Sequence, residues 1–242
     1  MNLEMKCALI TGGSRGIGAE LVRAFAREGY NVAFTYNRSE NEASLLSRQT
    51  GALAIRADSA VEQDVIHAVR ETLDKLGKID CLINNAGISS FSLFTELTLD
   101  EWNRNLAVNL TGAFLYSKEV LPGMISRKQG RIINVSSVWG LVGSSCEVHY
   151  STAKAGLIGM TKALAKEVGP SGITVNAIAP GVIDTEMNRR LSADDLLALE
   201  FETPLSRIGN PSEVAEAALF LASDGASFIT GDVLNVSGGF VV

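Results

Sequence analysis

Short, near-continuous apolar runs separated by longer stretches of helical periodicity restrict this 242-residue chain more than any other feature. The runs are Lys6–Thr11, Asn31–Tyr36, Ala52–Ala57, Asp80–Asn84, Arg131–Ser136, Thr174–Ala179 and Val233–Val236. Apolar residues follow one another in them rather than alternating, as in parallel strands covered on both faces. The intervening helical stretches are Ile17–Glu28, Glu40–Thr50, Glu62–Leu76, Asp100–Ser126, His149–Val168 and Ser212–Ala222. Thr98 or Asp100 is placed to cap the fourth, and Pro211-Ser212 with Glu213 opens the last. Gly29, Gly51, Gly77 and Gly169 fall where helices should stop. Such alternation predicts right-handed crossovers and a doubly wound α/β sheet of about seven strands with helices on both faces. No linker or repeat divides the chain, so one domain over 1–242 is expected. The irregular stretch from Pro180 to about Asn210 is long enough to have a function.

Composition narrows the partners. A formal net charge of −6 and a pI near 5.1 exclude the basic face that nucleic-acid binding needs. The three cysteines, Cys7, Cys81 and Cys146, lack C-x-x-C spacing, which suits a reducing compartment. His67 and His149 stand far apart in sequence with no cysteine pair, so no metal site is expected. The N-terminal segment carries Glu4 and runs directly into Cys7-Ala8-Leu9-Ile10, without a basic segment, apolar run and cleavage site in sequence. No stretch approaches a membrane span. A cytoplasmic protein is the expectation.

The first apolar run leads into Thr11-Gly12-Gly13-Ser14-Arg15-Gly16-Ile17-Gly18 and then a helix. Glycines let backbone amides approach a pyrophosphate, and the helix N-terminus adds a favourable dipole. This predicts a dinucleotide-binding, Rossmann-like domain. An NAD-binding fold places an acid at the end of the second strand. Here that position reads Tyr36-Asn37-Arg38. A carboxylate would repel a 2′-phosphate, whereas an arginine forms paired, charge-assisted hydrogen bonds with it. Arg38, with Arg15, therefore points to NADP(H).

Further along, Ser136-Ser137 ends the fifth strand, and Tyr150 and Lys154 share a helix face at i, i+4. Asn109 lies on the long helix before them. A free phenol has a pKa near 10 and exchanges protons poorly at neutral pH. A neighbouring ammonium favours the phenolate and makes the tyrosine usable as an acid or base. Ser137 is placed to donate to a carbonyl oxygen as charge develops there. His149 points away from Tyr150 on the helix, and Asn84 reads as a bond between strands.

Together these residues resemble the single-domain branch of the short-chain dehydrogenase/reductase family over essentially the whole chain. The matching pieces are Thr11-Gly12-x3-Gly16-x-Gly18, Asp58, Asn84-Asn85-Ala86-Gly87, Asn109, Ser137, Tyr150-x3-Lys154 and Pro180-Gly181-x3-Thr185. The resemblance implies Tyr150 as proton donor and Ser137 as carbonyl polariser. It implies Lys154 on the nicotinamide ribose and Asn109 holding a water that relays protons to it. Asp58, with Ser59 beside it, would meet the adenine. Asn85, Ala86 and Gly87 would line the cofactor, and Val182 and Thr185 would meet the carboxamide.

Within the family, Pro204-Leu205-x-Arg207-x-Gly209-x-Pro211 and Phe228-Ile229-Thr230-Gly231 resemble the 3-oxoacyl-[acyl-carrier-protein] reductases of fatty-acid synthesis. A carrier protein is acidic and needs basic residues near the cleft, which Arg127 and Lys128 would supply. The expected lid, at about 184–210, carries Asp194, Asp195, Glu200 and Glu202 against Arg189 and Arg190, a balance that repels an acidic partner. A small free ketone, cationic or attached to another macromolecule, is therefore the competing substrate. An NADP(H) sensor without turnover is the alternative of another class, although degenerate members typically lack the tyrosine or lysine present here. The family implies a homotetramer. Small residues Ala107, Gly112, Ala155, Gly156 and Gly159 would allow helix contact, and Phe240-Val241-Val242 would form a second interface.

Overall fold

Parallel pairing joins β1 (Cys7–Ile10), β2 (Asn31–Tyr36), β3 (Leu53–Arg56), β4 (Cys81–Asn84), β5 (Gly130–Val135), β6 (Ile173–Pro180) and β7 (Val233–Val236) into one sheet. Its order is β3-β2-β1-β4-β5-β6-β7, the Rossmann-like arrangement. This computed structural model describes residues 5–188 and 192–241. Glu4, Arg189, Arg190 and Val242 lie outside the described residues.

The first strand shows why the apolar runs are continuous. Ala8 and Ile10 point into a core shared with α1 (Gly16–Arg27), α2 (Glu40–Thr50) and α9 (Pro211–Ala222). Leu9 points the other way, against α3 (Glu62–Leu76), α5 (Gly112–Arg127) and α7 (Val148–Val168). Successive side chains of a strand face opposite sides, and here both sides are dry.

Four expectations are corrected. The helix expected over Asp100–Ser126 is α4 (Leu99–Leu106), a wide π turn at Ala107–Thr111, and then α5. Of the two caps expected, Thr98 is the one used, in a capping box: Thr98 Oγ1 accepts from Glu101 N at 3.2 Å, and Glu101 accepts from Thr98 N at 2.9 Å. Trp139–Val142 forms a short helix, α6, too brief to show a period. The stretch expected to be irregular contains α8 (Ala193–Glu202), begun by Ser192, whose Oγ accepts from Asp195 N at 3.1 Å. Gly169 has φ −51° and does not take the left-handed turn. Gly169-Pro170-Ser171 tightens into a 3-10 turn, and Gly172, with φ 72°, reverses the chain instead.

No helix among the described residues is long and apolar enough to cross a membrane. One polar chain runs through the core. Asn84 Nδ2 donates to Asn134 Oδ1 at 2.9 Å, and Asn134 Nδ2 donates to Thr161 Oγ1 at 2.9 Å. It ties β4 and β5 to α7 and so helps set where α7 stands on the sheet. Asn134→Ala would take one buried partner from each neighbour, leaving Asn84 with Ser117 Oγ and Thr161 with Leu157 O. The expected loss is about 1–3 kcal/mol of stability, read from urea unfolding.

Candidate active site

Where the carboxyl ends of the strands point, a cavity of about 990 Å³ opens. Crevices of open α/β sheets form there because the chain leaves each strand in a loop before returning through a helix. Every expected cofactor residue lines it, as do Ser137, Tyr150 and Lys154. Asn109 alone stands behind the wall.

At one end the glycine loop is held open by its neighbours. Thr11 Oγ1 accepts from Asn85 N at 3.0 Å and from Ala86 N at 2.9 Å. Asn85 Nδ2 donates to Thr11 O at 3.0 Å and to Gly12 O at 3.1 Å. A side chain on Gly12 would meet Ala86 Cα at 2.8 Å, and one on Gly13 would meet Phe34 Cβ at 2.6 Å. The loop therefore lies flat against β2 and the turn after β4. The N-cap of α1 is Arg15, which makes no side-chain capping bond. The first amides of a helix have no partner inside it, so those of Gly16, Ile17 and Gly18 face the cavity as donors. An uncapped helix start facing open space fits a pyrophosphate.

The two arginines expected at the 2′-phosphate differ. Arg38 is exposed on the cavity rim after β2. Arg15 instead pairs with Glu186 at 2.8 Å, joining the glycine loop to the start of the lid. Both side chains of that pair are well exposed, so it is weak and open to displacement.

At the other end, α7 carries Tyr150 and Lys154 into the floor. Lys154 is fully buried, donates through Nζ to Val135 O at 2.8 Å, and lies 5.6 Å from the centre of the Tyr150 ring. Burial alone lowers its pKa to about 8, leaving it cationic at neutral pH. A side chain on Gly87 would sit 2.8 Å from Asn109 Oδ1 and 3.4 Å from Lys154 Nζ, so this bare Cα lets the three residues converge. Asn109 lies in the π turn, where an extra residue widens the helix. Its Nδ2 donates to Ile88 O at 2.9 Å and Asn105 Oδ1 at 2.8 Å, and its Oδ1 accepts from Ile88 N at 3.1 Å. The side chain braces the strand-end loop. Ser137 Oγ accepts from Trp139 N at 3.1 Å, which leaves its own O–H to point into the cavity.

Some lining residues escaped the sequence reading. Cys146 takes a left-handed φ of 61° and turns Glu147 into the cavity wall one helical turn before Tyr150. Glu147 is only 5% exposed and accepts from Ser89 Oγ. Arg104, on α4, reaches Asp58 after β3 at 2.8 Å. No local pattern announces either contact. His149 is buried with Nε2 2.8 Å from Ser90 Oγ, away from the chemistry as expected.

Two expected surfaces change. Arg127 donates to Ile79 O at 2.6 Å beside Asp80, at the amino end of β4. Within one chain it therefore faces away from the cleft. Phe240 packs edge-on against Trp139, with ring centres 5.5 Å apart, so the apolar C-terminus is partly covered by its own chain. Gly112 and Gly156 likewise serve contacts inside the chain, with Ser59 and Leu110, while Ala155 and Gly159 stay exposed.

Comparison with known proteins agrees with this geometry. Residues 12–241 match the sequence profile of a family described as Enoyl-(Acyl carrier protein) reductase. The chain is 42% identical to a 3-oxoacyl-[acyl-carrier-protein] reductase of Synechocystis sp., covering 99% of this chain and 98% of that one. It is 42% identical to the enzyme of that name from Escherichia coli and 41% identical to that from Aquifex aeolicus, at the same coverage. A solved mutant of a Serratia marcescens short-chain dehydrogenase/reductase superposes with a TM-score of 0.93 at 37% identity, covering all of both chains.

The buried amine has a stability signature. Between about 8 and the ordinary lysine value of 10.5, the unfolded chain binds more protons at this position than the folded one. Stability therefore rises with pH across that window, and the cost of burying the cation is fully present below it. Relative to Lys154→Met, native protein should gain roughly 2–3 kcal/mol between pH 7 and pH 10.5 in paired urea unfolding curves. An unchanged difference would mean that the amine is not desolvated.

Proposed function

This chain belongs to the short-chain dehydrogenase/reductase family, and we propose that it is a cytoplasmic, NADPH-dependent reductase of 3-oxoacyl thioesters carried on acyl carrier protein. The observation that carries this reading is one cavity with an uncapped helix start at one end and a buried lysine beside a tyrosine at the other. A nicotinamide dinucleotide held along the glycine loop and Asn85–Gly87 would supply hydride to the ketone carbon.

The chain's own residues handle the oxygen. Tyr150 donates its hydroxyl proton to the carbonyl oxygen as negative charge grows there. Ser137 donates a hydrogen bond to the same oxygen and orients it. The Lys154 ammonium favours the phenolate that remains. Asn109, locked to Ile88 and Asn105, keeps the Gly87 wall pressed against that ammonium. Arg38 would hold the 2′-phosphate, with Arg15, now paired with Glu186, beside it. The secondary alcohol leaves past the lid at about 184–210. In this reading the single domain over 1–242 works as a homotetramer through the exposed faces of α4, α5 and α7. The three free thiols suit a reducing compartment.

The names and near-complete coverage of the curated relatives support the carrier-protein thioester. A second reading has its own observation. Glu147 in the wall and Asp195 from α8 make the substrate end acidic, which suits a small ketone bearing a cation.

Tyr150→Phe should lower kcat for ketone reduction by about 10²- to 10⁴-fold while NADPH still binds in a fluorescence titration. Retained turnover would remove the tyrosine from its role. A panel with NADPH and NADH in parallel should include acetoacetyl, crotonyl and aminoketone substrates. The highest kcat/KM is expected for the acetoacetyl thioester with NADPH. A preference for the aminoketone, abolished by Glu147→Gln, would establish the second reading. Preference for the crotonyl thioester would overturn carbonyl reduction itself.

A further inference from the structure

The cofactor end of the cavity contains a contact that the reaction does not explain. Arg104 Nη2 donates to Asp58 Oδ2 at 2.8 Å, from α4 to the loop after β3, across 46 residues of chain. Both residues line the cavity. We infer that Arg104 is a positioning residue: it fixes the Asp58 carboxylate as a hydrogen-bond acceptor at the base end of the cavity and so selects a cofactor base carrying an amino group. This rests on the dinucleotide reading of the cavity.

Acceptor arithmetic carries the step from contact to specificity. An ionised carboxylate has about four acceptor positions. Three protein donors already address this one: Arg104, the backbone N–H of Ala60 at 3.0 Å from Oδ1, and the Asn37 side chain. Burial pushes the Asp58 carboxyl up, but hydrogen bonds from Arg104 and Ala60 outweigh it and hold the group below its ordinary value. Asp58 therefore stays charged at every pH where the protein works, with no proton of its own to offer. The position left over accepts from a ligand N–H. A 6-amino purine supplies one, whereas a 6-oxo purine sets its carbonyl oxygen against the carboxylate. The backbone is fixed as well, because Asp58 N donates to Asp64 Oδ2 at 2.9 Å.

Stability does not account for the pair. The Arg104 side chain is 43% exposed, and exposed ion pairs add little to folding. What Arg104 does supply is direction. Without it, the carboxylate keeps Ala60 N on Oδ1 but loses the charged donor that fixes Oδ2, and water takes that place.

Calorimetric titration with NADPH and with its hypoxanthine analogue tests this without turnover. Native protein should bind NADPH about tenfold more tightly than the analogue. Arg104→Gln should erase most of that preference by weakening NADPH alone, and Arg104→Lys should keep part of it. Asp58→Asn should remove the preference, with thermal unfolding of Arg104→Gln unchanged. Equal weakening of both dinucleotides in Arg104→Gln, or no preference in native protein, would overturn the inference while leaving the cofactor reading intact. If native protein bound neither dinucleotide, the cofactor reading itself would fall and this inference with it.

Discussion

An ammonium group taken out of water and given a single backbone acceptor, Val135 O, is the interaction on which the rest of the site depends. Desolvation works against it, so the surroundings must hold it in place. They do so by packing. Gly87 has no side chain to push Asn109 or Lys154 aside, Ser136 Oγ donates to Lys154 O at 2.9 Å, and Gly140 lets α6 press against the same turn of α7. Burial thus becomes chemistry: a cation in a dry site acts on a neighbouring phenol far more strongly than one in water.

The cavity divides its charge. Arginines and helix amides gather at the cofactor end, while Glu147 and Asp195 stand at the substrate end. Of the three cavity arginines among the described residues, Arg15 and Arg104 are paired with Glu186 and Asp58. One pair reaches the lid and the other the loop after β3.

The relatives' names and the shape of one chain pull in different directions on substrate. Near-complete coverage at about two-fifths identity speaks for carrier-protein thioesters. Yet Arg127 is turned toward Asp80, at the end of the sheet remote from the cleft. Among the described residues, the arginines that line the cavity stand at its cofactor end, so Arg127 of the same subunit adds nothing to steer an acidic carrier protein to the substrate end.

Strand and helix positions were legible from the residues alone because burial on both sheet faces writes itself into composition, and capping writes itself into helix starts. The glycine loop, Ser137 and the Tyr150–Lys154 pair were legible for a similar reason, since each depends on local spacing along one element. Tertiary structure decided the rest. The π turn at Ala107–Thr111 breaks a helix whose period looks uniform, and a left-handed Cys146 aims Glu147 inward. Arg104 meets Asp58 only because α4 and the loop after β3 reach the same end of the sheet. Arg15, read as a phosphate ligand, turned out to hold Glu186 as well. Such contacts join residues far apart in the chain, and their partners follow from how the layers pack, which no local pattern of residues encodes.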